Sequence, residues 1–223
     1  MAKPALTLSA LRTEAARFAS DHPTLIDKSL YGVTDGKALG TYLERKLHAY
    51  LSVNYDHQPG SSSRGRDLPA VDCDLKFTSA RQPQSSCPYR SAAQKIYGLG
   101  YSLLIFVYDK HDDDDQNLGV VKIVDGVLVD KDRTADFQTT MGLRDLVDHG
   151  ANEDEIMTFF QARRLPVDEV SGRALAKRVL SDPPQLGYLT ISNALQWRLQ
   201  YGRVVDQAGK VDGLAKLVSD KSP

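Results

Sequence analysis

The sequence predicts an α/β core followed by a helical lobe, both within a single domain. Before residue 137 the patterns read helix, helix, strand, strand, strand, and after it the apolar periodicity is almost entirely helical. The chain has 223 residues, of which 41% are hydrophobic and 26% charged, as in ordinary globular proteins. We therefore expect the core over residues 1–136 and the helical lobe over residues 137–223.

Two helices are predicted in the first quarter of the chain. The first spans residues 8–20 and places apolar residues on one side: Leu8, Leu11, Ala15, Phe18 and Ala19. The second follows Asp35 and carries leucines at four-residue spacing: Leu39, Leu43, Leu47 and Leu51. This periodicity is typical of helices that bury one face against a core.

Three segments predict the strands. Residues 70–78 alternate strictly, and their second face carries the charged residues Asp72, Asp74 and Lys76. Residues 101–108 form a continuous apolar run, which is typical of a central strand covered on both sides. In residues 118–130, Asp125-Gly126 separates two apolar runs and predicts a hairpin with a type I′ turn.

The second part of the chain predicts four helices, near residues 139–149, 153–163, 168–180 and 191–200. The last of these has the length of a DNA-recognition helix. Three of its apolar residues instead favour packing, within the lobe or at a dimer interface: Leu195, Trp197 and Leu199. The lobe is therefore expected to serve either DNA binding or dimerisation.

The composition excludes several classes of protein. The only cysteines are Cys73 and Cys87, outside any metal-binding spacing, so we expect neither zinc sites nor a disulfide framework, and a cytoplasmic location fits. No apolar run reaches the length of a membrane helix. With 28 Lys+Arg against 29 Asp+Glu, the net charge of -1 argues against a protein that coats nucleic acid indiscriminately. An enzyme acting on nucleic acid remains allowed.

Acidic residues and a lysine are predicted to converge at the alternating strand. Strand geometry projects Asp74 and Lys76 to the same side, about 6.6 Å apart at ~3.3 Å per residue. Asp67 lies shortly before them, and Leu68-Pro69 suits a bend that brings its carboxylate toward Asp74. Neighbouring carboxylates are electrostatically costly without a cation, and oxygen ligands select a hard ion such as Mg²⁺. We therefore expect a divalent metal site here.

The second predicted helix adds Glu44 to this group of residues. Glu44 lies beside the leucine stripe, and Gly40 precedes it by one turn on the same side. Glycine inside a helix costs about 1 kcal/mol relative to alanine, so we expect the substrate backbone or the metal site to pass close to Gly40.

Together these residues resemble the active site of the PD-(D/E)XK nuclease superfamily, and within it the type II restriction endonucleases. The resemblance lies in GTYLERKL (40–47) and RDLPAVDCDLKFTS (66–79), and in the order of elements elsewhere. The spacing is similar to that of the mismatch-repair nicking endonuclease MutH. Two departures are that the usual Pro-Asp appears as Asp67-Leu68-Pro69, and that Asp72 offers a competing carboxylate on the same strand face.

The resemblance implies a restriction-endonuclease-like core, with a central mixed sheet flanked by helices, and Mg²⁺-dependent hydrolysis of DNA. It implies the catalytic residues Glu44, Asp67, Asp74 and Lys76, of which the three acids would be metal ligands. Asp72 stays open as the alternative to Asp67. Lys76 would contact the attacking water, and Glu44 would orient Lys76 or a water molecule, or help to bind a second ion.

Two polar segments bracket the predicted site and are candidates for reading DNA. Arg pairs with guanine, Gln pairs with adenine, and Ser donates to phosphates. The candidates are Ser63, Arg64, Arg66, Gln82, Gln84, Ser85, Ser86 and Arg90. A polar surface loop without a function is the alternative for each of them.

We therefore expect a restriction endonuclease that cleaves double-stranded DNA as a homodimer on a short palindrome, with a cognate DNA methyltransferase encoded nearby. A monomeric nicking or DNA-repair endonuclease of the same superfamily is one alternative. A catalytically silent DNA-binding protein is another. Plasmid cleavage with and without Mg²⁺ separates these possibilities.

Overall fold

The structure, a computed structural model, describes residues 2–60, 66–191 and 198–218. The helices within these ranges are α1 (Leu8–Asp21), α2 (Gly36–Asn54), α3 (Ala92–Tyr97), α4 (Phe137–Asp148), α5 (Glu153–Ala162), α6 (Glu169–Ser181) and α7 (Gly202–Gln207). The strands are β1 (Thr24–Asp27), β2 (Cys73–Ser79), β3 (Gln84–Ser86), β4 (Ser102–Asp113), β5 (Leu118–Val129), β6 (Thr190–Ile191), β7 (Arg198–Gln200) and β8 (Leu214–Lys216).

The chain forms two compact units. The first comprises Met1–Gln84, Ser102–Val129 and Val205–Pro223, and the second comprises Ser85–Tyr101 and Asp130–Val204. The C-terminal segment belongs to the first unit because β8 pairs with β5, whereas the sequence assigned this segment to the helical lobe. A strand of three residues is too short for its period to be recognised.

The first unit contains a mixed sheet in the order β1-β5-β4-β2, with β8 also paired to β5. The β2–β4 pair is parallel and the others are antiparallel. Residues 102–108 of β4 are all buried, as expected of a central strand. The predicted fold class, an α/β core with a mixed sheet flanked by helices, is confirmed.

Helices α1 and α2 cover the sheet with the faces that the sequence predicts. The hydroxyl of Thr7 caps α1, and the carboxylate of Asp35 accepts the N–H groups of Lys37 and Ala38 at the start of α2. The buried residues of the two helices join the sheet in the core: Leu11, Ala15, Phe18, Leu47 and Leu51, with Leu104, Phe106 and Leu128. Both predicted helices are confirmed.

The predicted hairpin at Asp125-Gly126 is wrong, because β5 is one continuous strand. It pairs antiparallel with β4 along its whole length, and the register shifts by one residue between Val107 and Tyr108. A Cβ at Gly126 would lie 3.1 Å from the Phe106 ring, so glycine allows a close approach here rather than a turn. The true turn joins β4 to β5 at residues 114–117, where Asn117 is left-handed (φ 53°).

The second unit is largely helical. Helices α4, α5 and α6 confirm the predictions near 139–149, 153–163 and 168–180, and each is capped at its start by a side chain: Asp136, Asn152 and Asp168. Their apolar faces meet in a second core of buried residues: Leu143, Ile156, Phe160, Ala176 and Val179. None of the described helices is both long and apolar enough to cross a membrane.

The predicted helix over residues 191–200 is wrong at both of its ends. Thr190–Ile191 pairs antiparallel with Arg198–Gln200, so Leu199 lies opposite Ile191. Leu199 is buried between exposed neighbours, which is the two-residue period of a strand. Residues 192–197, which include Leu195 and Trp197, lie outside the described residues.

Candidate active site

The polypeptide turns back on itself just before β2, and this turn brings Asp67 beside Asp74. Leu68 and Cys73 form an antiparallel bridge, in which Leu68 N lies 3.0 Å from Cys73 O and Cys73 N lies 3.2 Å from Leu68 O. A 3₁₀ turn that starts at Pro69 connects them. Proline suits this position because its missing N–H is not needed in a first turn.

Asp74 and Lys76 project to the same side of β2 and form an ion pair. Nζ of Lys76 lies 2.5 Å from Oδ2 of Asp74. The side chain of Asp74 is 9% exposed and that of Lys76 is 23% exposed. The buried carboxylate is therefore stabilised by a charge-assisted hydrogen bond, while the lysine still reaches solvent.

The carboxyl groups of Asp67 and Asp74 interact directly. The pKa of Asp74 is raised to about 6, first by burial and then by its hydrogen bond with Asp67, against the opposing effect of Lys76. Oδ2 of Asp67 also accepts the N–H of Leu75 at 3.0 Å, which holds Asp67 against the strand. Asp74 therefore keeps its proton at a pH where an isolated aspartate has lost it.

Glu44 lies within electrostatic reach of this pair. Its side chain, on α2, is half-buried. Its pKa is raised overall, chiefly because of burial; Lys76 opposes this rise and Asp74 adds to it. Within the described residues, however, no three His, Cys, Asp or Glu side chains are arranged to hold a metal ion. The structure thus assembles the two aspartates with the lysine, and it places Glu44 nearby rather than in a group of three ligands.

Sequence reasoning missed a buried pair of histidines next to Glu44. Nδ1 of His48 lies 2.7 Å from Nε2 of His57, and the rings stack with centroids 5.0 Å apart. Nε2 of His48 lies 3.5 Å from Oε1 of Glu44, at ion-pair distance but without a hydrogen bond. The spacing signals only that His48 lies one helical turn from Glu44 on the same side, and it carries no signal for His57.

Burial favours the neutral forms of the two histidines, because it lowers the pKa of both His48 and His57. One ring nitrogen of the pair therefore donates to the other, and the tautomer decides which. Among the described residues, neither Nε2 of His48 nor Nδ1 of His57 has a hydrogen-bond partner.

The placement of Asp72 on the charged face of the strand is wrong. Asp72 ends the 3₁₀ turn in a left-handed conformation (φ 54°), ahead of the first residue of β2. Its side chain is 53% exposed and pairs with the guanidinium of Arg66. The left-handed residue breaks the alternation that the sequence predicts, which separates Asp72 from Asp74.

Comparison with known proteins gives the family. A model of the family described as type II restriction enzyme NspV matches residues 5–216. The chain is 52% identical over 209 residues to the type II restriction enzyme NspV of Nostoc sp. (strain ATCC 29411 / PCC 7524). These residues make up 94% of this chain and 95% of that protein. The chain belongs to the NspV family of type II restriction enzymes. No solved structure matches it.

The donor set in this NspV-family chain suits Mg²⁺. This ion is commonly held by one or two carboxylates, together with water and substrate phosphates. Asp67 and Asp74 provide two adjacent carboxyl groups, and the pKa of Asp74 is raised first by burial and then by Asp67. The residues therefore fit the ion that the resemblance implies, and Glu44 as a third ligand stays a prediction.

Three of the predicted DNA contacts of this NspV-family chain fall in the segment before β2. Ser63 and Arg64 lie outside the described residues. Arg66 is described, and its side chain is 41% exposed beside Asp72. Its guanidinium is therefore accessible, although it is held by a carboxylate.

The other predicted contacts follow β2. Gln82 is exposed. The backbone of Gln84 is held by the Thr78 hydroxyl, which accepts the Gln84 N–H at 2.9 Å and donates to the Gln84 carbonyl at 3.1 Å. Both belong to the first unit. In the second unit, Ser85 Oγ lies 2.5 Å from the hydroxyl of Tyr201, and two further candidates are exposed: Ser86 and Arg90.

Proposed function

We propose that this chain is a Mg²⁺-dependent endonuclease of the PD-(D/E)XK superfamily that cleaves both strands of DNA at a short specific site. One observation carries the proposal: Nζ of Lys76 lies 2.5 Å from Oδ2 of Asp74, whose carboxyl group also contacts Asp67. Family membership supports the restriction activity, because the related Nostoc protein is a type II restriction enzyme.

Asp67 and Asp74 would hold the metal ion. Bound Mg²⁺ would offset the negative charge that develops on the scissile phosphate. The aspartates are well placed for this, because Asp67 is anchored to the N–H of Leu75 and Asp74 is packed into the strand. Carboxylates fixed in this way need no reorganisation when the substrate arrives.

Lys76 would act on the attacking water. Its ammonium group donates one hydrogen bond to Asp74 and has two further N–H groups that can donate. It can hold a water molecule beside the phosphorus and stabilise the oxygen as that water loses its proton. The water oxygen then forms a bond to phosphorus and its proton passes to solvent, while one phosphodiester P–O bond breaks and the departing sugar oxygen takes up a proton from solvent water.

Glu44 would position Lys76 or a water molecule, or help to bind a second ion. Its half-buried side chain and its electrostatic interaction with Lys76 support a role beside the reacting atoms. We further propose that the enzyme acts as a homodimer on a palindromic site, because a two-fold protein presents the same residues to both strands. A methyltransferase that protects the host site would be encoded nearby.

Plasmid cleavage tests the proposal. Supercoiled plasmid is incubated with the protein in Mg²⁺ or in EDTA, and the cut ends are mapped by run-off sequencing. Linear product only in Mg²⁺, with ends at one short repeated sequence, supports the proposal. Product that stays nicked would point to the nicking alternative, and DNA binding without any cleavage would point to a silent DNA-binding protein.

A further inference from the structure

We propose that one flank of α2 contacts the DNA backbone next to the active site. The α2 flank, as we call it, comprises Lys37, Gly40, Thr41 and Arg45. The inference rests on the proposed nuclease function and adds to it a substrate-binding surface distinct from the predicted recognition segments.

Gly40 has no structural reason to be glycine. It lies in the interior of α2 without a positive φ, and a Cβ built there would meet nothing within 4 Å. Two other helix glycines contrast with it: a Cβ at Gly142 would lie 2.6 Å from the ring of Phe159, and one at Gly172 would lie 2.9 Å from Met157. Packing explains those two glycines, whereas at Gly40 the space is open.

The open space lies beside the proposed catalytic residues. Gly40 precedes Glu44 by four residues, so the two positions are stacked one turn apart along the same flank. A missing side chain at this point leaves a notch into which a sugar-phosphate backbone can approach the helix closely. Glycine is the residue expected where another backbone passes close by.

Two cations lie on the turns of α2 before and after the notch. Lys37 and Arg45 are exposed, and in the part of the chain that the structure describes neither forms an ion pair with a carboxylate. Together with Thr41 they line an open depression of about 390 Å³ next to Gly40, whose other lining residues are Asp35, Ala38 and Tyr42. The Asp35 carboxylate is engaged in capping the helix through the N–H groups of Lys37 and Ala38, which leaves two cations and a hydroxyl to bind phosphates.

The dimensions also fit a DNA strand. Lys37 and Arg45 are separated by about 12 Å along the helix at ~1.5 Å per residue. At ~3.4 Å of duplex axis per phosphate of one strand, this distance corresponds to the rise over roughly three phosphates when α2 lies along the duplex. The third cation of α2, Lys46, lies over the ring of Tyr42 at 5.2 Å and close to the Asp27 carboxylate, so it serves as a matched control.

The test measures DNA binding without cleavage. Wild type and variants are titrated onto a fluorescent duplex in EDTA over a range of salt concentrations. We expect the double variant Lys37→Ala/Arg45→Ala to bind about tenfold more weakly and to reduce the salt slope by about 1.8, since each phosphate contact contributes about 0.9. Lys46→Ala should keep the wild-type slope.

The glycine gives a second, independent arm. Gly40→Leu should weaken binding because its side chain fills the notch, and Gly40→Ala should raise the thermal unfolding midpoint without strengthening binding. Ala49→Leu, at an exposed position nine residues from Gly40 and on the opposite side of the helix from it, should leave binding unchanged. Thermal unfolding of each variant shows whether it is folded.

Wild-type affinity and salt slope in both Gly40→Leu and the double variant would overturn the proposal, as would equal losses in Lys46→Ala or Ala49→Leu. Failure of the nuclease function itself has a different signature. In that case wild-type protein would not cleave plasmid in Mg²⁺, whatever its binding in EDTA.

Discussion

Lys76 and Asp74 form an ion pair with their charged atoms 2.5 Å apart, although Asp74 is almost completely buried. A buried carboxylate is costly, and here the cost is only partly offset, since the pKa of Asp74 is still raised to about 6. Local backbone strain and unfavourable burial persist mainly where function requires them. We therefore expect that replacing the Asp74 carboxylate lowers the cleavage activity and raises the stability of the fold.

We expect Asp74→Asn to reduce cleavage by at least about 100-fold, because it removes a carboxylate that the reaction needs. The same change should stabilise the fold by about 1 to 3 kcal/mol near neutral pH, because the amide carries no buried charge. Plasmid cleavage and urea unfolding measure the two effects. Asp72→Asn is the matched control, and equal losses of activity in both variants would count against the assignment of Asp74 alone.

Lys76→Met should also reduce cleavage by at least about 100-fold while keeping the length of the side chain. The loss arises because methionine has no proton to donate to water or phosphate. Lys110→Met removes a similar pair elsewhere in the first unit, where Lys110 Nζ lies 2.6 Å from Asp112 Oδ1. That control should cleave normally, and an active Lys76→Met enzyme would contradict the proposed role.

The Mg²⁺ requirement should depend on pH. Because burial raises the pKa of Asp74 to about 6, protons compete with the metal ion below that pH. The Mg²⁺ concentration for half-maximal cleavage should rise by up to about tenfold per pH unit below pH about 6 and level off above it. Cleavage titrations at several pH values measure this, and a pH-independent requirement would refute it.

The buried histidine pair should make the protein sensitive to acid. The pKa of His48 and of His57 is lowered by burial, so below pH about 6.5 the unfolded chain binds protons that the folded chain does not. Stability should therefore fall as the pH falls through this window. In urea unfolding, His48→Gln/His57→Gln should flatten this dependence, whereas His111→Gln, at an exposed site, should leave it unchanged.

Gln84 and Arg90 are expected to take part in choosing the DNA site. Gln84→Ala or Arg90→Ala should change which sequences are cut, because Gln pairs with adenine and Arg with guanine. Run-off sequencing of cleaved genomic DNA measures the preference. If both variants cut the same sites more slowly, these residues do not read bases. Arg81→Ala, a nearby exposed residue, is the control.

Much of the first unit follows from local sequence patterns. The four leucines of α2 are all buried, and Asp35 caps the helix where the pattern begins. The apolar run over 101–108 forms the buried part of β4. These predictions hold because side-chain periodicity and capping depend on residues a few positions apart.

Other features depended on partners distant in the sequence. Asp125-Gly126 is a good turn signal, but pairing with the twelve residues of β4 holds it within a strand. The segment around 191–200 has helical apolar spacing, yet its ends pair as strands. Tertiary pairing overrides local propensity when it satisfies more backbone hydrogen bonds.

For the candidate site, the sequence by itself determined which residues share a strand face or a helix flank: Asp74 with Lys76, and Gly40 with Glu44. Only the tertiary structure decided that Asp67 contacts Asp74 while Asp72 does not, and that His57 meets His48. The physical reason is that a repeat of two or 3.6 residues fixes directions only within one element. A turn with one left-handed residue, or a contact between segments, depends on how the chain packs as a whole.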